Sequence, residues 1–137
     1  PVFIVLSFTL YDFGVRHYTE ILVRRIYAAR KEKDYKAIIK EVDSCSWLSN
    51  IDSTTQPLRF FSGYAHLLLR NDDQAFVDLK KAEKAHPYQL NVLMNLGTYY
   101  AFQNKLSEAR RYYEKVIELH PGLKVAKLKL NQIGARK

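Results

Sequence analysis

One cysteine, Cys45, stands in the 137-residue chain, so no disulfide closes within it and no cysteine-based metal site is available. Cys45 has no nucleophile motif around it and reads as a half-buried structural thiol. Glycine is scarce, at five, and none of the five belongs to a glycine-rich loop that could cradle a phosphate. The four histidines are dispersed, without a pair at zinc-ligand spacing, so no metal is expected. Acidic residues are the minority charge, 14 against 22 basic, giving a formal net charge of +8. Asp72, Asp73, Glu108 and Glu114 fall where turns and outer helical faces are expected, which favours solvated surface over acid–base work. No catalytic or cofactor-binding constellation emerges, and the chain is not expected to be an enzyme. The uncharged N-terminal run, residues 1–11, is well short of the roughly 20 apolar residues that cross a bilayer.

What the sequence does contain is a repeat. Within residues 90–123, Leu93, Leu96 and Tyr100 recur at helical intervals, as do Ala109, Tyr113 and Val116, and the polar pair Asn104-Lys105 separates the two sets. Gly97 and Ala109 are small enough for two antiparallel helices to approach closely, and Pro121 stops the second helix. A shift of 34 residues lays Gly97 on Gly63, Ala109 on Ala75, Tyr113 on Leu79, Val116 on Ala82 and His120-Pro121 on His86-Pro87. A divergent earlier copy is expected with helices over residues 18–31 and 34–48. There Asp34-Tyr35-Lys36-Ala37 supplies the turn and the small residue, and Arg25 stands at the glycine level. Its link to Ala75 is four residues longer than one repeat.

The series Leu93-x2-Leu96-Gly97-x2-Tyr100, then Ala109-x3-Tyr113 and Pro121, resembles the tetratricopeptide repeat, with Leu for its Trp and Tyr for its Phe. The resemblance implies an all-α, right-handed α-solenoid of about three hairpins, near 18–48, 56–87 and 90–121, with a capping helix at 122–133. About three repeats are needed because a single hairpin cannot bury its own apolar face. It also implies a concave groove lined by the first helix of each hairpin, with Leu22, Ile26, Phe60, Tyr64, Asn91, Met94, Asn95 and Thr98 projecting into it. Some members hold a peptide's terminal carboxylate through Lys and Asn at such positions. Apart from Asn91 and Asn95 the positions here are apolar or aromatic, so the expected ligand is an apolar peptide or helix. The alternative is that Phe60, Phe61 and Tyr64 pack against the first repeat or against residues 1–15.

The ends carry the remaining signals. With no initiator Met, Pro1 is read as lying inside a longer chain. Residues 1–15 are either the end of a membrane helix or an extra element packed on the solenoid. Arg16, Arg24, Arg25, Arg30 and Lys31 follow as a cytoplasmic flank would. Between the first two repeats a polar run holds Trp47, expected to cover the first hairpin, and Pro57 suits a helix start. After Pro121, the spacing of Leu123, Ala126, Leu130 and Ile133 among lysines reads as a solvating terminal helix. An apolar start, a basic first hairpin and the run from Leu93 to Tyr100 are together similar to the soluble C-terminal tails of some bacterial O-antigen ligase or polymerase family proteins. Glycan chemistry would then belong to the membrane part, and none of its residues maps onto this sequence. Expected partners are therefore a protein or peptide, with self-association open and the domain on the cytoplasmic face of a membrane, or else cytoplasmic or periplasmic. The basic charge leaves nucleic acid as a lesser alternative, removed by absent or salt-insensitive retention on heparin.

Overall fold

The computed structural model describes residues 2–45 and 56–135, with side chains from residue 13 onward; Trp47 and most of the inter-repeat loop lie outside the described residues. Among the described residues the elements are seven helices: α1 (Val2–Lys31), α2 (Tyr35–Asp43), α3 (Leu58–Leu68), α4 (Asp72–Ala85), α5 (Leu90–Phe102), α6 (Leu106–Leu119) and α7 (Lys124–Gly134). Consecutive helices pair as hairpins, α1 with α2, α3 with α4 and α5 with α6, and α7 packs on α6.

Three turns of one shape fix the repeat. Lys33, Arg70 and Asn104 have φ of 58°, 61° and 56°, and among the described residues no other non-glycine has positive φ. The N–H that follows each turns back to the carbonyl five residues earlier: Asp34 to Ala29, Asn71 to His66 and Lys105 to Tyr100, each at 2.9 Å. This is the helix-ending motif in which a left-handed residue lets the next N–H satisfy an orphan carbonyl. Asp34 further caps α2 by accepting from the N–H of Ala37 at 2.9 Å.

The turns also correct the register of the first repeat. Arg70 and Asn104 are 34 residues apart and Lys33 and Arg70 are 37 apart, so the first copy is offset by one residue from the sequence reading. Ile26, not Arg25, stands level with Gly63 and Gly97. Ile38, not Ala37, stands level with Ala75 and Ala109, and Val42 with Leu79 and Tyr113. The cause is burial: Ile26, Ile38 and Val42 lie inside the core, whereas Arg25 is exposed and reaches Glu41 at a loose 3.8 Å. A guanidinium at the helix–helix contact would be desolvated without compensation.

Side-chain volume is shared out differently in the three copies. A Cβ on Gly97 would sit 2.6 Å from Tyr113 Cε1, and one on Gly63 would sit 2.8 Å from Leu79 Cγ. Two of the hairpins therefore place a large residue on the second helix against a bare backbone on the first. The first copy carries Ile26 on its first helix and the smaller Val42 on its second. The core stays close-packed either way.

Helix α1 passes without a break through the boundary expected at residue 15. No proline interrupts it, and Gly14 costs a helix only about 1 kcal/mol. At 30 residues against 9, α1 is roughly 45 Å long and α2 roughly 14 Å. Its partner thus covers the C-terminal part, where Leu22 and Ile26 are buried, and leaves Phe13 70% exposed. The second helix of this hairpin ends at Asp43, short of the expected Leu48, because the Ser44-Cys45-Ser46 run favours turn over helix. Arg59 ties the second repeat to the first by reaching Asp43 at 2.7 Å; within the second, it also reaches Asp78 at 3.5 Å, and the Ser62 hydroxyl donates to the buried Asp78 at 2.6 Å.

Candidate functional site

The seven helices form two layers. In the inner layer α3 touches α5 directly. In the outer layer α4 and α6 meet through the long side chains of Lys80, Glu83 and Tyr112. The layer of α1, α3, α5 and α7 is therefore the shorter, concave side, and its open face is the candidate groove.

Only part of the expected lining faces this way. Leu22 and Ile26 are core residues, as the one-residue register shift requires, and Phe60 is buried as well. The shift puts half-buried Val23 and exposed Tyr27 level with Phe60 and Tyr64, and Arg30, nearly a turn beyond Tyr27, is exposed as well. The Tyr27 ring meets Phe61 edge-on at 5.5 Å, so Phe61 packs against the first repeat, while the ring contacts of Phe60 are to Phe61 and Tyr64 of its own helix. Tyr64 is half-buried, with the Arg30 guanidinium 5.6 Å above its ring and Tyr35 edge-on at 6.5 Å.

The α5 candidates remain accessible. Asn91 is exposed, and Met94, Asn95 and Thr98 are half-buried. Thr98 donates to the carbonyl of Met94 at 3.0 Å, and its hydroxyl lies 3.2 Å from that of the core residue Tyr113, so its orientation is set from below. Met94 bridges the two core clusters. Sequence reasoning missed the rim at the hairpin tips, where Leu68 and Phe102 are exposed and the Arg70 guanidinium lies 4.8 Å above the Phe102 ring. Each such cation–ring contact is worth about 0.5–1 kcal/mol at the surface. The available signal was charge: an arginine cannot occupy the glycine level, and moving Arg25 off it exposes Tyr27 and Arg30.

The repeat-defining residues behave as structure. Gly63, Ala75, Leu93, Leu96, Gly97, Ala109 and Tyr113 are buried, Tyr100 stacks on Tyr112 at 5.5 Å, and Pro87 and Pro121 follow the helix-ending His86 and His120. His86 and His120 share nearly the same backbone angles, −145°, 89° and −143°, 84°.

The outer layer carries a hollow of about 580 Å³ lined by Glu83, Arg111, Tyr112, Glu114, Lys115 and Glu118. Glu83 is the lining charge tied to both Lys80 and Tyr112. Lys80 bonds Glu83, which holds the ammonium above its ordinary pKa, and burial raises that of Tyr112, whose hydroxyl donates to Glu83 at 3.2 Å. Among the described residues no three His, Cys, Asp or Glu side chains gather as metal ligands. The inner face offers aromatic, aliphatic and amide groups, which suit binding.

A layered stack of helical hairpins with an open inner face defines a repeat-built α-solenoid. Residues 91–123 match the family model of the tetratricopeptide repeat, and the described chain has the fold of tetratricopeptide domains. It is similar to the Arabidopsis OM64 tetratricopeptide domain, at 20% identity over 90% of this chain and 100% of that one, with a TM-score of 0.80. The first such domain of Spaghetti (RPAP3), bound to the HSP90 peptide SRMEEVD, gives 20% identity over 88% and 93%, with a TM-score of 0.78. The second domain of human RPAP3, in complex with the HSP70 peptide SGPTIEEVD, gives 24% over 87% and 98%, with a TM-score of 0.75. No curated protein matches the chain by sequence.

Proposed function

We propose that the chain is a protein-interaction module that takes an apolar or aromatic peptide segment, extended or helical, in its inner groove. The observation that carries this reading is the run of open groups across three helices of one layer: Tyr27 and Arg30 on α1, Tyr64 and Leu68 on α3, and Asn91, Met94, Asn95, Thr98 and Phe102 on α5. Rings and aliphatic chains would supply affinity at about 25 cal/mol per Å² of apolar surface buried, before the cost of association. Asn91 and Asn95 would pair with the segment's backbone or polar groups. The similar RPAP3 domains hold peptides that end in acidic residues. Here the open lining is made of rings, aliphatic chains and amides with Arg30 at one side, so apolar side chains rather than a terminal carboxylate are the determinant.

A membrane attachment through α1 is the finer part of the proposal. It is supported by an uncharged run within a continuous helix and by the basic residues that follow, Arg16, Arg24, Arg25, Arg30 and Lys31. No helix among the described residues is long and apolar enough to cross a membrane, so α1 would contribute only the end of a span. The tail of an O-antigen ligase-type protein is one form this attachment could take, resting on the same apolar start and on generic repeat residues.

The test is panning of a random peptide library against the chain, with a Tyr64→Ala/Phe102→Ala variant as counter-screen. Enriched peptides should carry aromatic or aliphatic residues and should bind the variant at least tenfold more weakly. Enrichment of acidic peptides that bind both proteins equally would overturn the reading.

A further inference from the structure

Helix α7 presents a surface that the groove does not use. Its inner side packs through Ala126 and Ile133 into the core, where Ile133 joins Ala109 and Tyr113. Its outer side presents Lys124, Val125, Lys127, Leu128 and Asn131 around an open hollow of about 430 Å³. Val125 and Leu128 are 53% and 57% exposed, among the most exposed large aliphatic side chains described. From residue 122 to residue 137 there is no acidic side chain, against Lys124, Lys127, Lys129, Arg136 and Lys137. Helix α6 does not neutralise this end either: the Arg110 guanidinium lies beside Gly134 of α7, 4.0 Å from where a Cβ would stand, and Glu114 is turned onto Arg110 at 3.9 Å.

The register argues against a close-packed helix as occupant. Lys124 lies 34 residues after Leu90, so α7 holds the place of a first helix in a fourth repeat. In the complete repeat before it, Leu93 and Gly97 receive the second helix, with Tyr113 seated against the glycine. The equivalent residues of α7 are Lys127 and Asn131, whose side chains bar that approach. Two exposed aliphatic residues set among lysines on an acid-free helix are instead the pattern of a helix lying in a lipid interface, where lysines reach phosphates without fixed geometry and aliphatic chains enter the acyl boundary.

We infer that the outer face of α7 is a contact site for an anionic lipid surface, with Lys124 and Lys127 meeting the headgroups and Val125 and Leu128 entering the bilayer boundary. The site is independent of both the groove and α1. It is tested by co-sedimentation of the whole chain with phosphatidylcholine vesicles with and without phosphatidylglycerol. The chain should partition onto the anionic vesicles and release as salt rises. Lys124→Glu/Lys127→Glu should weaken this by about thirtyfold, at about 1 kcal/mol per lysine. Val125→Asp/Leu128→Asp should weaken it as well, and both variants should keep the parent's helical content and melting temperature, since all four side chains are exposed. Absence of binding to anionic vesicles, including the case in which these lysines serve a protein partner, overturns the inference. Binding lost in Phe3→Asp/Leu6→Asp but retained in the lysine variant assigns the contact to α1 and overturns it equally.

Discussion

Replacing Gly97 with alanine separates two opposing effects whose sizes can be compared. In an open helix, Gly→Ala stabilises by about 1 kcal/mol through backbone entropy and propensity. At Gly97 the added Cβ would lie 2.6, 2.8 and 3.0 Å from Cε1, Cδ1 and Cζ of Tyr113. That ring is held inside the core, at 1% exposure, and its hydroxyl is near that of Thr98, so it has no room to swing. Overpacking of this kind costs about 1–3 kcal/mol, and three sub-contact distances place this site at the upper end. The net expectation is a loss of about 2 kcal/mol, or a fall in melting temperature of roughly 8 °C for a domain of this size. Gly14 is the internal control: it is also helical, nothing lies within 4 Å of its would-be Cβ, and Gly14→Ala should raise stability by about 1 kcal/mol. Urea denaturation of both variants with an unchanged m-value is the assay. If Gly97→Ala is stabilised to the same extent as Gly14→Ala, the close approach of α5 and α6 does not exist and the repeat geometry is wrong.

Ile26→Ala should cost about 2–5 kcal/mol by thermal melting while Arg25→Ala stays within about 0.5 kcal/mol; the reverse order would restore Arg25 to the helix contact. Asp78→Ala removes the acceptor of the buried Ser62 hydroxyl and one partner of Arg59, and should lower the urea stability by about 2 kcal/mol; an unchanged midpoint would show that the bond contributes nothing. Alkaline pH should destabilise the fold through Lys80 and Tyr112. The bond to Glu83 holds Lys80, and burial holds Tyr112, protonated above the ordinary values. Both raised values mean tighter proton binding in the fold, so their contribution is complete below about pH 10 and fades as pH rises through the folded values. Melting temperature should therefore drop more steeply above about pH 10 in the parent than in Tyr112→Phe, and parallel profiles would contradict this.

Gly63 and Gly97, Ala75 and Ala109, and the two His-Pro pairs made the second and third hairpins legible, because each marks a place where two backbones come close or a helix must stop. The first hairpin was misread by one residue because it meets the same volume requirement with other side chains. Ile26, Ile38 and Val42 fill the contact that Gly and Ala leave bare elsewhere, and the Ala37 that matched the motif is incidental. Turn geometry would have prevented the error. Yet Lys33, Arg70 and Asn104, which share positive φ, have no residue type in common that announces it. The groove inherited the error at Leu22 and Ile26. Tyr64, Asn91, Met94, Asn95 and Thr98 stay outside the core because the phase of α3 and α5 follows the 34-residue repeat. Phe60 was lost to the core by a different route: a ring at a partly inward position turns in when Phe61 and Tyr64 offer it ring contacts. Phe102 and Arg70 went unnoticed because a contact between the tips of neighbouring hairpins has no local sequence period.

The most direct test of the groove is amide chemical-shift mapping of the labelled chain titrated with a peptide enriched by panning. Shifts should cluster at Tyr27, Arg30, Tyr64, Asn95, Thr98 and Phe102 across α1, α3 and α5, leaving Lys80, Glu83 and Arg111 of the outer layer unmoved. Shifts confined to α4 and α6, or to the face of α7, would contradict a binding surface on the inner layer.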